Sequence, residues 1–135
     1  MHPEPEQLSR IPFFEGLGDD DRARVASWLD VEEHPAGTLL SREGQTSYAF
    51  FVLESGEARV EKDGAELSRM GPGDVFGEIA MLGDGRRSAD VFATSDVRLY
   101  SMFGTRVREM QEAIPAVAAR LQELAERRSG LQAEA

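Results

Sequence analysis

The sequence predicts a mainly β domain of the α+β class: a sandwich or roll of short antiparallel strands held between helical ends. Three observations predict it. From Pro35 to Met102 short apolar runs alternate with glycine-bearing turns, and on both sides of that region the apolar residues recur at helical spacing. The chain has 135 residues, 41% of them hydrophobic, which is enough for one sizeable core and too little for two. Closely spaced strands with tight turns leave no room for the crossover helices of βαβ units.

Residues 1–7, rich in proline and glutamate, read as a flexible arm. Leu8, Ile11, Phe13, Phe14 and Leu17 then form an apolar cluster broken by Pro12 and Gly16, which opens an N-terminal helical region over 8–34. Asp19-Asp20-Asp21 supplies an N-cap and first-turn carboxylates to a helix running to Leu29, in which Val25, Trp28 and Leu29 share a face. Capping accounts for this triplet better than metal binding, since calcium loops interleave their ligands with other residues.

The β region spans 35–103. Its strands are expected at Thr38–Ser41, Tyr48–Glu54, Glu57–Lys62, Glu66–Met70, Ala89–Ala93 and Val97–Met102. Lys62-Asp63-Gly64 signals a hairpin, and Gly71-Pro72-Gly73-Asp74 a tight turn. Helices are expected over 104–132, with a break at Pro115 and a tail at 133–135. Ile114, Val117, Leu121, Leu124 and Leu131 follow three-and-four spacing, with Arg128 at the one polar position of the stripe. The stripe serves either packing within the chain or a homodimer seam over 114–131, because twenty helical residues reach about 30 Å, more than one small roll covers.

Composition removes several function classes. Fifteen Lys and Arg against 25 Asp and Glu give a net charge of −10, which opposes nucleic acid and anionic membranes alike. Without cysteine there is no disulfide, thiolate metal site or thiol nucleophile. The N-terminus lacks a basic start followed by an apolar run, and the longest strongly apolar stretch, Tyr48–Leu53, is too short to span a bilayer, so a cytoplasmic setting is expected. The only histidines are His2 and His34, the latter expected in an exposed loop before Pro35. A metal enzyme with a cupin-like roll needs two or three inward histidines, and a serine hydrolase needs one beside a nucleophile. No enzymatic role, metal or cofactor is therefore expected.

The segment from Gly73 to Val91, GDVFGEIAMLGDGRRSADV, is too elaborate for a strand connection. Val75–Leu82 can form a short helix whose free N–H groups begin near Gly77, a place where an anion docks. Arg87 can grip a phosphate with two parallel hydrogen bonds, and Glu78 can accept from a neighbouring hydroxyl. An acid for sugar and an arginine for phosphate suit a nucleotide. A structural ion pair of Glu78 with Arg86 or Arg87 is the alternative.

Phe76-Gly77-Glu78-Ile79-Ala80-Met81, the insert Leu82–Arg86 and Arg87-Ser88-Ala89-Asp90-Val91 resemble the phosphate-binding cassette of the cyclic nucleotide-binding domain family. That pattern runs F-G-E-[ILV]-A-[LM], a short insert, then R-[STA]-A and a β-branched residue two further on. Leu8–Leu17, Pro35-Ala36-Gly37 with Glu43-Gly44, Phe51-Val52 through Gly56, and Gly71–Asp74 are similar to other parts of the family's domain, so the likeness reaches to about residue 104.

The resemblance implies one domain over 8–132, an eight-stranded, jelly-roll-like antiparallel β-roll with the cassette at 73–91. It implies a cyclic nucleotide ligand, cyclic AMP before cyclic GMP. Glu78 is then the acceptor for the ribose 2′-hydroxyl and Arg87 the partner of the cyclic phosphate. Gly77, Ile79 and Ala80 offer backbone N–H groups after Phe76, Ser88 and Ala89 complete the phosphate side, and Ala58, Leu67 and Ser68 line the purine and sugar pocket. Many members carry proline where this chain has Arg86, which leaves the ligand unaffected. Members that have lost nucleotide binding usually lack the glutamate or the arginine; both are present here, against a ligand-free dimerisation scaffold.

Several relatives add a helix-turn-helix after the long helix, and nothing after Gly130 forms one, so DNA binding is expected only of a partner or a longer parent. The implied mechanism is a population shift in which phosphate capture tightens 75–91 and moves a hinge at Met102–Met110. The C-terminal helix then closes over the base, with a lid contact from Arg127–Gln132.

Overall fold

Two long apolar runs make the centre of the fold. Ala49–Ser55 (β3) and Val97–Phe103 (β8) pair antiparallel from Ala49↔Phe103 to Ser55↔Arg98, and most of their residues are buried. The structure is a computed structural model that describes residues 1–42, 49–77 and 89–134, with side chains as far as Arg127. β8 also pairs with Asp30–His34 (β1), and β3 with Val75–Phe76 (β6), giving a sheet of order β1-β8-β3-β6. Leu39–Ser41 (β2), Ala58–Lys62 (β4), Ala65–Met70 (β5) and Asp90–Ala93 (β7) form the second sheet, of order β2-β7-β4-β5. All strand pairs are antiparallel. The expected eight-stranded, mainly β architecture with flanking helices is therefore the one observed.

Turn chemistry sets the corners. Asp63 and Gly64 both have positive φ, 53° and 80°, the requirement of a two-residue hairpin whose twist matches its strands. At Gly56, between β3 and β4, φ is 89° and an added Cβ would lie 2.3 Å from the Asp96 carbonyl oxygen, so backbone closeness as well as conformation demands glycine.

The two faces of the first sheet look onto different cores. Phe50, Val52, Val75, Tyr100 and Met102 point outward and are covered by helices. These are Pro5–Leu8 (α1), Asp19–Trp28 (α2), Gly104–Ala113 (α3) and Pro115–Glu134 (α4), with a 3-10 turn at Pro12–Phe14. Leu8, Ile11, Phe14, Val25 and Leu29 from the N-terminal side meet Val107, Met110, Ile114, Val117 and Leu121 from the C-terminal side. Two arginines tie these groups together: Arg106 donates to the Trp28 carbonyl at 3.2 Å and Arg120 to the Phe13 carbonyl at 2.9 Å. Between the sheets lies a second cluster of Leu53, Ala58, Val60, Met70, Phe76, Ala89, Val91, Ala93, Val97 and Leu99.

Several expectations are corrected. The 8–34 region is not wholly helical, because Asp30–His34 is a strand. Its sequence, DVEEH, carries one apolar residue, and its register comes from β8. His34 is accordingly a half-buried strand residue with Nε2 3.0 Å from Glu32 Oε1, not an exposed loop residue. Val75-Phe76, expected to open a helix, pairs with β3 instead; the remainder of that helix, from residue 78, lies outside the described residues. Glu43, Gly44 and Tyr48 lie outside them as well.

The N-cap of α2 is Gly18, with Asp19, Asp20 and Asp21 inside the first turn, where carboxylates favour the helix dipole without capping. In place of a flexible arm, residues 1–7 include most of α1. The Met1 carbonyl accepts from the Val31 N–H at 2.8 Å, and His2 Nδ1 lies 2.6 Å from the Leu29 carbonyl oxygen. The stripe offered as a homodimer seam over 114–131 is used within the chain as far as described. Ile114, Val117, Leu121 and Ala125 are buried against the chain's own core, and Leu124 packs beside them.

The helix break falls where proline requires it. Ile114, at φ −130° and ψ 83°, has left the helical region that a following proline disfavours, and Pro115 begins α4.

Candidate functional site

Of the residues singled out by sequence, Phe76, Gly77 and Ala89 flank the link between the two sheets. β6 belongs to the first sheet and β7 to the second, so residues 77–89 carry the chain from one layer to the other. Phe76 closes β6, is 5% exposed and lies in the inner cluster; Ala89, just before β7, is 7% exposed and lies in the same cluster. Ala58 on β4, at 1% exposure, joins them, paired with Met70 on one side and Ala93 on the other. Four of the expected site residues, Phe76, Ala89, Ala58 and Leu67, thus meet at one apolar floor. Glu78, Ile79, Ala80, Arg87 and Ser88 lie outside the described residues.

Leu67 reaches the floor through a bulge. Val60 pairs with Ser68 and Glu61 with Glu66, so Leu67 is skipped by the β4–β5 register and packs partly buried against the inner cluster. Ser68, beside it, is exposed and outside that cluster. The bulge exchanges a regular ladder for two consecutive side chains, one directed to the apolar floor and one left to solvent.

The lead-in to β6 is tightly braced. The Asp74 carboxylate accepts from the Gly71 N–H at 2.9 Å and the Asp74 N–H donates to the Gly71 carbonyl, while the Gly73 N–H donates to the Leu53 carbonyl and the Leu53 N–H to the Asp74 carbonyl. Gly73 has φ +93°, and a Cβ there would lie 3.1 Å from Pro12 of the 3-10 turn. Only glycine combines that backbone with that approach. After β6 the chain leaves through Gly77, also at φ +93°, a turn that an L side chain would resist. The glycine of the F-G-E motif is thus a directional element.

Sequence reasoning missed Phe51. Its ring stacks on Phe76 with centroids 4.8 Å apart and planes 18° from parallel. The signal was present in Ala49–Leu53, where every residue is apolar; a strand of that kind is buried on both faces, and its odd members face the roll interior.

A cleft of about 400 Å³ lined by Glu33, His34, Pro35, Ser55, Asp96, Val97 and Arg98 contains none of the expected site residues. Arg98 there faces Glu33 at 3.3 Å and Glu54 at 3.8 Å. Among the described residues no group of three or more His, Asp or Glu is placed to hold a metal ion, and no helix is long and apolar enough to cross a membrane.

Comparison with known proteins gives consistent matches. Residues 31–113 match the sequence model described as "Cyclic nucleotide-binding domain". The cAMP-dependent protein kinase regulatory subunit of Aspergillus niger is 39% identical over 94 residues, 68% of this chain and 23% of that protein. The chain therefore spans about a quarter of the length of such curated relatives. The Catabolite Activator Protein of Thermus thermophilus superposes with a TM-score of 0.78 at 30% identity, covering 87% of this chain and 57% of that one. The structure of Sp-2Cl-cAMPS bound to PKAR CBD2 superposes with a TM-score of 0.85 at 23% identity, covering 96% and 87%.

Proposed function

Because the chain belongs to the cyclic nucleotide-binding domain family, we propose that it is a non-enzymatic sensor module that captures cyclic AMP, in preference to cyclic GMP, and signals occupancy through its C-terminal helices. The observation that carries this reading is the convergence of Phe76 and Ala89, the two ends of the F-G-E…R-S-A segment, on one floor with Ala58 and Leu67. A ligand held by the intervening residues would rest against that floor.

In this reading Arg87 pairs with the cyclic phosphate and Glu78 accepts from the ribose 2′-hydroxyl. Gly77, Ile79 and Ala80 offer N–H groups, and Ser88 and Ala89 complete the phosphate side. An arginine fork suits phosphate because two parallel charge-assisted bonds form without reorganisation. The net charge of −10 is no obstacle, since one small anion responds to the local cassette and not to the whole surface. The apolar floor receives the purine and sugar edge, with Ser68 at its rim. Capture shifts the hinge at Met102–Met110, and α4 closes with contacts from Arg127–Gln132. A cytoplasmic setting belongs to the same proposal. So does a second reading, the sensor part of a longer regulator, favoured by the quarter-length match to kinase regulatory subunits.

Isothermal titration with cyclic AMP and cyclic GMP tests this directly. The wild type binds both, cyclic AMP more tightly, and Arg87→Ala loses about 100-fold or more, the scale of an arginine–phosphate pair left unmade. Absence of binding by the folded wild-type chain overturns the proposal.

A further inference from the structure

β6 and β8 are both antiparallel to β3, so they run in the same direction and end at the same edge of the first sheet. Phe76, the last residue of β6, is opposite Phe51, and Phe51 is opposite Ser101. Phe103 lies two residues further along β8, on the side toward which the chain leaves β6. Strands about 4.8 Å apart place the lines of β6 and β8 about 10 Å from each other across that edge. A nucleotide held by the segment after β6 reaches that far with its base.

Three features set Phe103 apart. It is 57% exposed, and among the described residues the only other large hydrophobic side chain left open is that of Met1. Strand alternation assigns it to the inner side of the roll: Tyr100 and Met102 face the helical layer, Leu99 faces the space between the sheets, and Phe103 shares the parity of Leu99. It is also the N-cap of α3, a position that favours Ser, Thr, Asp or Asn, yet its ring makes no cap and the first turn carries no acid. A residue that contradicts its local preference and joins neither apolar cluster marks a place shaped for something outside the chain. One step deeper on the same face Ser101 is 1% exposed, and its Oγ has no hydrogen-bond partner. This end of the roll interior thus lacks a polar neighbour as well as a cover for the ring.

We infer that Phe103 is the residue on which the purine of the cyclic nucleotide stacks, one face of the base against the ring and its edge on the apolar floor. The inference rests on the reading of the chain as a cyclic nucleotide sensor given above. Every base presents a π face, and stacking on an aromatic side chain is worth about tenfold in affinity. Phe103 also lies within the hinge proposed at Met102–Met110 and immediately precedes α3. The base therefore acts on the hinge directly, and not only through the cassette.

The test compares dissociation constants for cyclic AMP and for ribose 3′,5′-cyclic phosphate, which carries the sugar and phosphate without a base. They are measured on wild type, Phe103→Leu, Phe103→Tyr and Phe103→Ser. Phe103→Leu weakens cyclic AMP about tenfold and leaves the base-free ligand unchanged, whereas Phe103→Tyr keeps the wild-type value for both. Phe103→Ser weakens cyclic AMP at least as much and yet raises the urea midpoint of the ligand-free protein, since serine restores the missing cap. Wild-type affinity for cyclic AMP in Phe103→Leu overturns the inference, and so does loss of affinity in Phe103→Tyr. Equal losses for the two ligands, or a lowered urea midpoint in Phe103→Ser, overturn it as well, because the ring then serves the fold and not the base. The urea midpoints decide if the base-free ligand binds too weakly to titrate. Absence of cyclic AMP binding by the folded wild type overturns the sensor reading and this inference with it.

Discussion

The two sheets have the same number of strands and opposite exposures. In β1-β8-β3-β6 the central strands are buried on both faces, by helices outside and by the other sheet inside, so β3 is apolar without a break from Ala49 to Leu53 and β8 is apolar except at Arg98 and Ser101. In β2-β7-β4-β5 one face is open to solvent: Ala58, Val60, Val91 and Ala93 point inward, alternating with half-exposed Arg59, Glu61, Asp90 and Phe92. The open face carries ion pairs, Arg59–Glu61 at 3.2 Å and Arg69–Glu66 at 3.2 Å. The lesson is that burial on one or both faces, more than strand length, decides the texture of a strand and its sensitivity to substitution. The segment between β6 and β7 joins the doubly covered sheet to the singly covered one.

The contrast predicts unequal costs of substitution. Phe50→Ala, on the helix-covered face, removes a fully buried ring that packs against Phe13 and is expected to cost about 3–5 kcal/mol in chemical unfolding. A cost below about 1 kcal/mol would mean that the helical layer is not the stabilising cover described. A second consequence is seen with pH. Burial pushes the Tyr100 phenol up from its ordinary value, with the Glu54 carboxylate acting in the same direction and Arg98 and Arg10 opposing. A raised folded-state value favours the neutral phenol, so this contribution to stability is complete below about pH 10 and is lost as pH rises through the folded value. Tyr100→Phe should therefore flatten the alkaline fall in stability, and an unchanged alkaline limb would show that Tyr100 does not titrate as a buried group. The smallest effect belongs to the open sheet. Arg69→Ala removes a largely exposed ion pair and should change stability by less than about 0.5 kcal/mol; a larger loss would mean that this face is covered in solution.

What could be read from residues alone was the part governed by local chemistry. Glycine and Asp-Gly turns marked most strand ends, because positive φ has few tenants. The helix break at Pro115 follows from its missing N–H and its restriction of Ile114. The F-G-E and R-S-A motifs, with the acid and arginine they carry, placed the candidate ligand segment between two strands, and the net charge with the absence of cysteine narrowed the partners.

Other features depended on partners remote in sequence. Asp30–His34 is too polar to read as a strand and becomes one through its ladder with β8. Val75-Phe76 follows a turn and precedes a glycine, and its pairing with β3 outweighs a helical start. The apolar stripe of α4 could face a second copy or the chain itself; Leu8, Ile11 and Phe14 occupy the space beside it and settle its described part as internal. Phe51 is one of five consecutive apolar residues in the sequence, and only the fold sets its ring on Phe76. Local preferences are decided by a few neighbouring dihedrals and turn residues, whereas short strands, helix faces and ring contacts have near-equal alternatives that only long-range burial separates.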